Sequence, residues 1–495
     1  MAKNIMIQGT MSNVGKSVIS AGLCRIFAQD GYRVAPFKSQ NMALNSFVTA
    51  DGGEMGRAQA VQAEACGLEP SVEMNPILLK PVTDVGSQVI VKGQARAVMS
   101  ARGYFACRRT FLPDIMAAYA ALAQDADIIV IEGAGSPAEI NLRAGDIVNM
   151  GLAELVDAPV LLVGDIDRGG VFAQLAGTCM LLSEAELARV RGFVINKFRG
   201  DVTLLADGLG ELQRITGKPT LGVAPYLDLD LDDEDSLSER LRRRTAAGPE
   251  IGDIAVVRLP RLSNFTDFTA LDATGGLAVR YVVSPRQLAD PDLLILPGTR
   301  NTIADLAWLR ETGLAELICQ RAAAGRPVLG LCGGYQMLGE VVSDPDGVEG
   351  GGAAAGLGLL PAVTCFRSRK RQTRVAGTVL ALDGPLRPLS GARLEGYELH
   401  MGETVLADGA KPFVGLDDGA ADGCQQGSVA GSYLHGFFDT ASARQSLLAL
   451  LGRPGDAGPD FAQHRQGQYD KLADALRASL DLGRVYEILG SEPAR

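Results

Sequence analysis

NIMIQGTMSNVGKSVISAGLCRIFAQ (residues 4–29) passes from a short apolar run, through a loop bounded by Gly9 and Gly15, to a Lys-Ser pair and a stretch with helical spacing. That order is the strand–loop–helix of a phosphate-binding turn. Five residues separate Gly9 from Gly15-Lys16, one more than the usual spacing, and the physics tolerates the extra residue. Glycines let the backbone amides of Thr10, Asn13, Val14 and Gly15 turn towards an anion. Lys16 supplies a cation for the β- and γ-phosphates, Ser17 offers a hydroxyl to Mg²⁺, and the helix start adds the positive end of its dipole. The reading predicts an α/β domain built on a doubly wound parallel sheet.

Outward from this loop, short apolar runs recur at 33–38, 127–133, 159–165, 191–196 and 220–225, separated by helical patterns. They lack strict alternation, as strands buried on both faces do. Residues 226–250, YLDLDLDDEDSLSERLRRRTAAGPE, turn acidic and then basic before Ala-Ala-Gly-Pro, which predicts a connector. The expected division is a first domain over 1–235, a linker over 236–250, a second α/β domain over 251–445 and a helical tail over 446–495. Strands of the second domain are expected at 254–260, 277–284, 293–298, 327–332 and 428–436. The Gly/Ala-rich segment 346–358 reads as a flexible loop, and the helical spacing at 469–489 as one closing helix.

The chain has 495 residues, too many for one ordinary core, and a net charge of −11, which argues against broad binding to nucleic acid or anionic membrane but not against a local basic surface. No apolar run approaches the ~18–20 residues of a membrane span. The eight cysteines form no CxxC pair and there are only three histidines, so a structural zinc site is not expected; reduced thiols in the cytoplasm are.

One of those cysteines stands apart. VLGLCGGYQML (328–338) places Cys332 between glycines after an apolar run. A nucleophile on a tight strand-to-helix turn is held exposed in a strained conformation that small neighbours permit. Backbone amides beside it, including that of Gly333, can stabilise an oxyanion, and the helix start favours a thiolate. LPGTRNT (296–302) ends an earlier strand and offers the Gly298 amide as a second oxyanion donor. GSYLHGFF (431–438) ends a late strand with His435, a general base for Cys332.

These segments carry resemblances. GTMSNVGKS is similar to the long P-loop of the dethiobiotin synthetase family, which activates a carboxylate with ATP. That likeness implies Lys38 in FKSQNM as a phosphate or carboxylate contact. It also implies Glu54 in GGEMGRAQAVQA and Glu132 in VIEGAGSPAEINL as Mg²⁺ ligands with Ser17, and Asn196 and Lys197 in VINKFRGD as base contacts. Gly330, Cys332, Gly334 and Gln336 follow the G-x-C-x-G-x-Q elbow of the class I glutamine amidotransferases, implying Gln336 as part of the glutamine site. That family usually carries a Glu two residues after the histidine. Phe437 stands there, so the acid is missing or supplied from elsewhere, as in the family's cobyrinate-type branch.

Along nearly its whole length the chain resembles the cobyric acid synthase family, in segments that include PFKSQNMALNS, MNPILLKP, VGDIDRGGVFA and GYELHMG. The fold implied is a dethiobiotin-synthetase-like P-loop domain followed by a class I glutamine amidotransferase-like α/β domain. The reaction implied is amidation of the b, d, e and g side-chain carboxylates of adenosylcobyrinic acid a,c-diamide, one ATP and one L-glutamine per amide. Asp165, Asp167, Arg168 and His400 are the candidate corrinoid contacts. Ammonia from glutamine attacks a carbonyl well only once its oxygen is a good leaving group, and an acyl phosphate made from ATP supplies one. This reading expects no nucleic-acid or membrane partner and leaves a homo-oligomer open. The alternatives are a cobyrinic acid a,c-diamide synthase, a CTP synthase, or a P-loop module fused to an inactive amidotransferase-like domain.

Overall fold

The computed structural model describes residues 2–43, 45–83, 86–231, 252–453 and 455–492; the expected linker at 236–250 lies outside them. The chain forms two compact units. The first comprises residues 1–43, 53–234 and 465–495, the second 44–52 and 235–464.

The first unit is built on a six-stranded sheet, ordered Thr220–Pro225, Val190–Phe198, Val160–Asp165, Lys3–Gly9, Ile128–Glu132, Val34–Phe37. All its pairings are parallel. Its apolar runs are continuous because successive residues serve opposite faces. Ile5, Ile7, Val130 and Val163 join one core, while Met6, Ile129, Ile131 and Leu162 join another. The strand order reverses beside Lys3–Gly9, so the P-loop emerges where open α/β sheets bind ligands. The expected strands are thus present as a doubly wound sheet. A four-stranded sheet, Gln40–Met42, Ile77–Thr83, Gly86–Val91 and Gln94–Ser100, was not anticipated.

The second unit contains a six-stranded sheet, ordered Leu277–Val282, Gly252–Val257, Leu293–Leu296, Val328–Leu331, Val429–Ser432, Cys424–Gln426, parallel except for the last pair. A seven-stranded sheet accompanies it, dominated by the antiparallel pair Ala362–Val379 and Arg393–Leu406.

Two expectations are corrected. The Gly/Ala-rich segment 346–358 is not simply a loop: Gly352–Ala355 pairs antiparallel with Val341–Asp344, because backbone hydrogen bonds need no large side chains. The closing helix is two helices, Phe461–Ser479 and Leu482–Leu489. The Asp481 side chain caps the second by accepting the Arg484 amide at 3.0 Å. No helix among the described residues is long and apolar enough to cross a membrane.

Candidate functional site

The loop after Lys3–Gly9 closes onto the helix Lys16–Gln29 through Gly15, whose φ of 95° lies in the left-handed region. A Cβ at Gly15 would stand 2.1 Å from the Asn196 side-chain nitrogen, so only glycine fits. The Lys16 ammonium donates to the carbonyls of Met11 and Gly135, both at 3.1 Å. Thr10 donates its hydroxyl to Gln174 at 3.2 Å.

Glu132, at the carboxyl end of its buried strand, gathers the donors around this loop. Its Oε1 accepts from the Ser17 hydroxyl at 2.9 Å and from the Lys38 ammonium at 2.8 Å. Its Oε2 accepts from Gln59 at 3.4 Å and from Gln62. Sequence reasoning missed both glutamines; they sit two and five residues into the helix Arg57–Ala65 and carry no motif of their own. Glu54 forms a separate buried ion pair with Lys80. The structure therefore brings together Lys16, Ser17, Lys38 and Glu132, and gives Glu54 a lysine neighbour.

Among the described residues no cluster of three or more His, Cys, Asp or Glu is arranged for a metal. Mg²⁺ needs fewer, since it takes one or two carboxylates and completes its shell with water and phosphate oxygens. The 2.9 Å between Ser17 Oγ and Glu132 Oε1 matches adjacent corners of an octahedron with bonds of about 2.0–2.1 Å, so this pair fits the ion.

Asn196 and Lys197 act on the loop from Val190–Phe198, the strand next but one to Lys3–Gly9. Asn196 donates to the Val14 carbonyl at 2.9 Å, and Lys197 to that of Asn13 at 2.6 Å. Lys197 also pairs with Asp165 at 2.9 Å, while the Asp165 carboxylate accepts the Asp167 amide at 2.9 Å. Asp167 meets Arg199 at 3.2 Å, and Arg168 is exposed.

In the second unit, Cys332 caps the short helix Gly333–Leu338 with φ 49° and ψ −110°, the strained turn expected of a nucleophile elbow. Gly334 allows it, since a Cβ there would lie 1.9 Å from the Leu296 carbonyl oxygen. Cys332, His435 and Asp267 are 8 %, 1 % and 4 % exposed. The His435 Nδ1 lies 2.7 Å from the Asp267 carboxylate, which leaves Nε2 for the neighbouring Cys332. The other Asp267 oxygen accepts the Gly436 amide at 3.0 Å. Burial by itself would lower the His435 pKa. The Asp267 carboxylate, and after it the neighbouring Cys332, override that and push it up to about 10.

Asp267 is the acid that Phe437 cannot be. It lies on the turn Phe265–Phe268, 168 residues from the histidine, where no spacing rule points. Tyr397 stacks its ring on His435 at 5.2 Å. Gln336 bridges Thr302, whose hydroxyl donates to it at 3.0 Å, and the Tyr433 hydroxyl, to which it donates at 3.2 Å. The Gly298 carbonyl accepts the Ser263 amide at 3.0 Å, and a Cβ on Gly298 would stand 3.5 Å from the His435 ring. His400 stacks on Tyr433 at 3.7 Å with Nδ1 2.8 Å from the Gly402 carbonyl. Burial lowers its pKa to about 4, so it is neutral at physiological pH.

Comparison with known proteins agrees with both halves. Residues 5–236 match the CobQ/CobB/MinD/ParA nucleotide binding domain, and residues 253–443 the CobB/CobQ-like glutamine amidotransferase domain. The chain is 53% identical to the cobyric acid synthase of Ruminiclostridium cellulolyticum, over 99% of this chain and 97% of that one. It is 52% identical to that of Lachnoclostridium phytofermentans, over 99% of each chain, and 50% identical to that of Photorhabdus laumondii, over 99% and 98%.

Proposed function

The chain belongs to the cobyric acid synthase family, and we propose on that footing that it converts adenosylcobyrinic acid a,c-diamide to adenosylcobyric acid by amidating the b, d, e and g carboxylates. It is a glutamine-dependent ligase with ATP as its energy source. The observation that carries the reading is the buried Cys332–His435–Asp267 constellation on a chain that also bears a P-loop with Ser17 and Lys38 around Glu132.

The Cys332 thiolate attacks the glutamine carboxamide carbon, and the amides near Gly333 and Gly298 hold the resulting oxyanion. His435, protonated and oriented by Asp267, gives its proton to the departing nitrogen, so ammonia leaves and a γ-glutamyl thioester remains. Water, deprotonated by the now neutral imidazole, releases glutamate and restores the thiol pair. In the first unit a corrin carboxylate displaces ADP from the γ-phosphate to form an acyl phosphate. Lys16 and Lys38 offset the charge that develops on the phosphate oxygens. Ammonia then attacks the acyl carbon and inorganic phosphate leaves with the oxygen. Ser17 and Glu132 are the residues that would hold Mg²⁺, which when bound neutralises phosphate charge. Asn196 and Lys197 keep the loop shaped for the nucleotide through its Asn13 and Val14 carbonyls.

The test is mass spectrometry of adenosylcobyrinic acid a,c-diamide incubated with the enzyme, ATP, Mg²⁺ and glutamine. Four carboxyl-to-amide conversions are expected. Two conversions on cobyrinic acid, with none on its diamide, would mark a diamide synthase instead, and no conversion would mark a binding module.

A further inference from the structure

The motif GYELHMG (396–402) lies in the strand Arg393–Leu406, which pairs antiparallel with the short strand Leu434–His435. The register sets Tyr397 directly opposite His435. Residues paired in this way share a face of the sheet, so their side chains meet. Gly396 permits the close approach, because a Cβ there would stand 1.9 Å from the His435 carbonyl oxygen. The Tyr397 and His435 rings stack, with centres 5.2 Å apart and planes 22° from parallel, and both residues are buried. Rings so placed attract one another, and an aromatic face also attracts a cation.

The tyrosine is itself held in place. Asn264 donates its side-chain N–H to the Tyr397 hydroxyl at 3.2 Å, and that hydroxyl donates to the Ser46 carbonyl at 3.3 Å. Ser46 lies in the segment 44–52, which belongs to the second unit. Asn264 stands at the start of the turn Phe265–Phe268, in the left-handed region at φ 50°. Three residues on, the same turn supplies Asp267, the acid beside His435 Nδ1. One turn thus reaches the imidazole by two routes: Asp267 meets its edge, and Asn264 fixes the tyrosine that covers its face. Cys332 and His400 also titrate near the imidazole, and burial keeps His400 neutral.

We infer that Tyr397 is a positioning residue of the glutamine-hydrolysing site. Its ring holds the His435 imidazole between Asp267 and Cys332 and favours the charged form during turnover, and Asn264 acts through it. The inference deepens the glutamine-hydrolysing half of the amidation reading above and rests on it.

The experiment follows glutamate release from glutamine by the full chain, recording kcat, KM and the pH profile of kcat, with the thermal unfolding midpoint as a folding control. Tyr397→Phe keeps the ring, Tyr397→Leu removes it, and Asn264→Gly loses the side chain while accepting the positive φ. Tyr397→Leu should lower kcat on the order of tenfold with little change in KM. It should also move the basic limb of the profile down by about half a unit, because the imidazolium loses the ring face that favours it. Tyr397→Phe should keep the limb and lose about threefold in kcat. Asn264→Gly should lose about as much, and nothing further in the Tyr397→Phe background, since both remove the same hydrogen bond. A folded Tyr397→Leu with wild-type kcat and an unmoved limb overturns the positioning role and leaves the amidation reading intact. A loss confined to KM does the same, for it would make Tyr397 a glutamine contact. Additive losses from Asn264→Gly and Tyr397→Phe overturn the route through the hydroxyl, a measurement that stands even where Tyr397→Leu fails to fold. A wild type that releases no glutamate overturns the amidation reading as well.

Discussion

Asp267 shows how one residue decides a site. Its carboxylate holds His435 Nδ1 at 2.7 Å and so fixes the tautomer that faces the thiol. Asp267→Asn should lower glutamine-driven turnover by about 10²–10⁴-fold, while amidation from added ammonium persists; parallel assays with the two nitrogen sources check this. The raised His435 pKa also makes a stability prediction. A group whose folded pKa exceeds its unfolded value stabilises fully below the unfolded value, about 6.5, and loses that contribution as pH rises through the folded one, here about 10. The unfolding midpoint of the second unit should therefore fall between about pH 6.5 and 10, and this fall should shrink in Asp267→Asn. The need for an acid was legible in the sequence, since Phe437 stands where the amidotransferase pattern has Glu. Its source was not, because a contact across 168 residues is set by packing, which no local spacing encodes.

Among elements, the P-loop depends on its neighbours. Asn196 holds the Val14 carbonyl and occupies the space a Gly15 Cβ would need. Gly15→Ala should abolish ATP binding, because it adds both a clash and a disfavoured φ. Asn196→Ala removes one hydrogen bond, worth about 1 kcal/mol, and should raise the KM for ATP about fivefold without changing glutamine hydrolysis. Steady-state kinetics of each half-reaction separates the two. The parallel strands were readable because burial on both faces leaves continuous apolar runs such as residues 128–131 and 160–163. The antiparallel sheets were not. Half their positions face outward, and a stretch such as Phe366–Arg374, with five cations in nine residues, looks like a solvated segment until its pairing to the next strand is seen.

At the scale of the molecule, the chain's end returns to its beginning. Tyr469, Leu472, Leu476, Val485 and Leu489 lie in the same core as Ile5, Ile19 and Leu23. Leu476 is fully buried, and a Cβ on Gly22 would come within 2.3 Å of it. Leu476→Ala should cost about 2–5 kcal/mol of first-unit stability, measured by denaturant titration. Removing residues 465–495 should abolish ATP binding through unfolding. Helical spacing revealed these helices, but not which unit they complete, since an apolar face names no partner.

In the proposed reaction the thiol and the nucleotide pocket perform separable halves. The decisive assay follows corrinoid amidation by Cys332→Ser with ATP and Mg²⁺, once with glutamine and once with an ammonium salt. No product is expected from glutamine and near-normal product from ammonium. Product from glutamine at the wild-type rate, or none from ammonium in a folded variant, would overturn the division of labour.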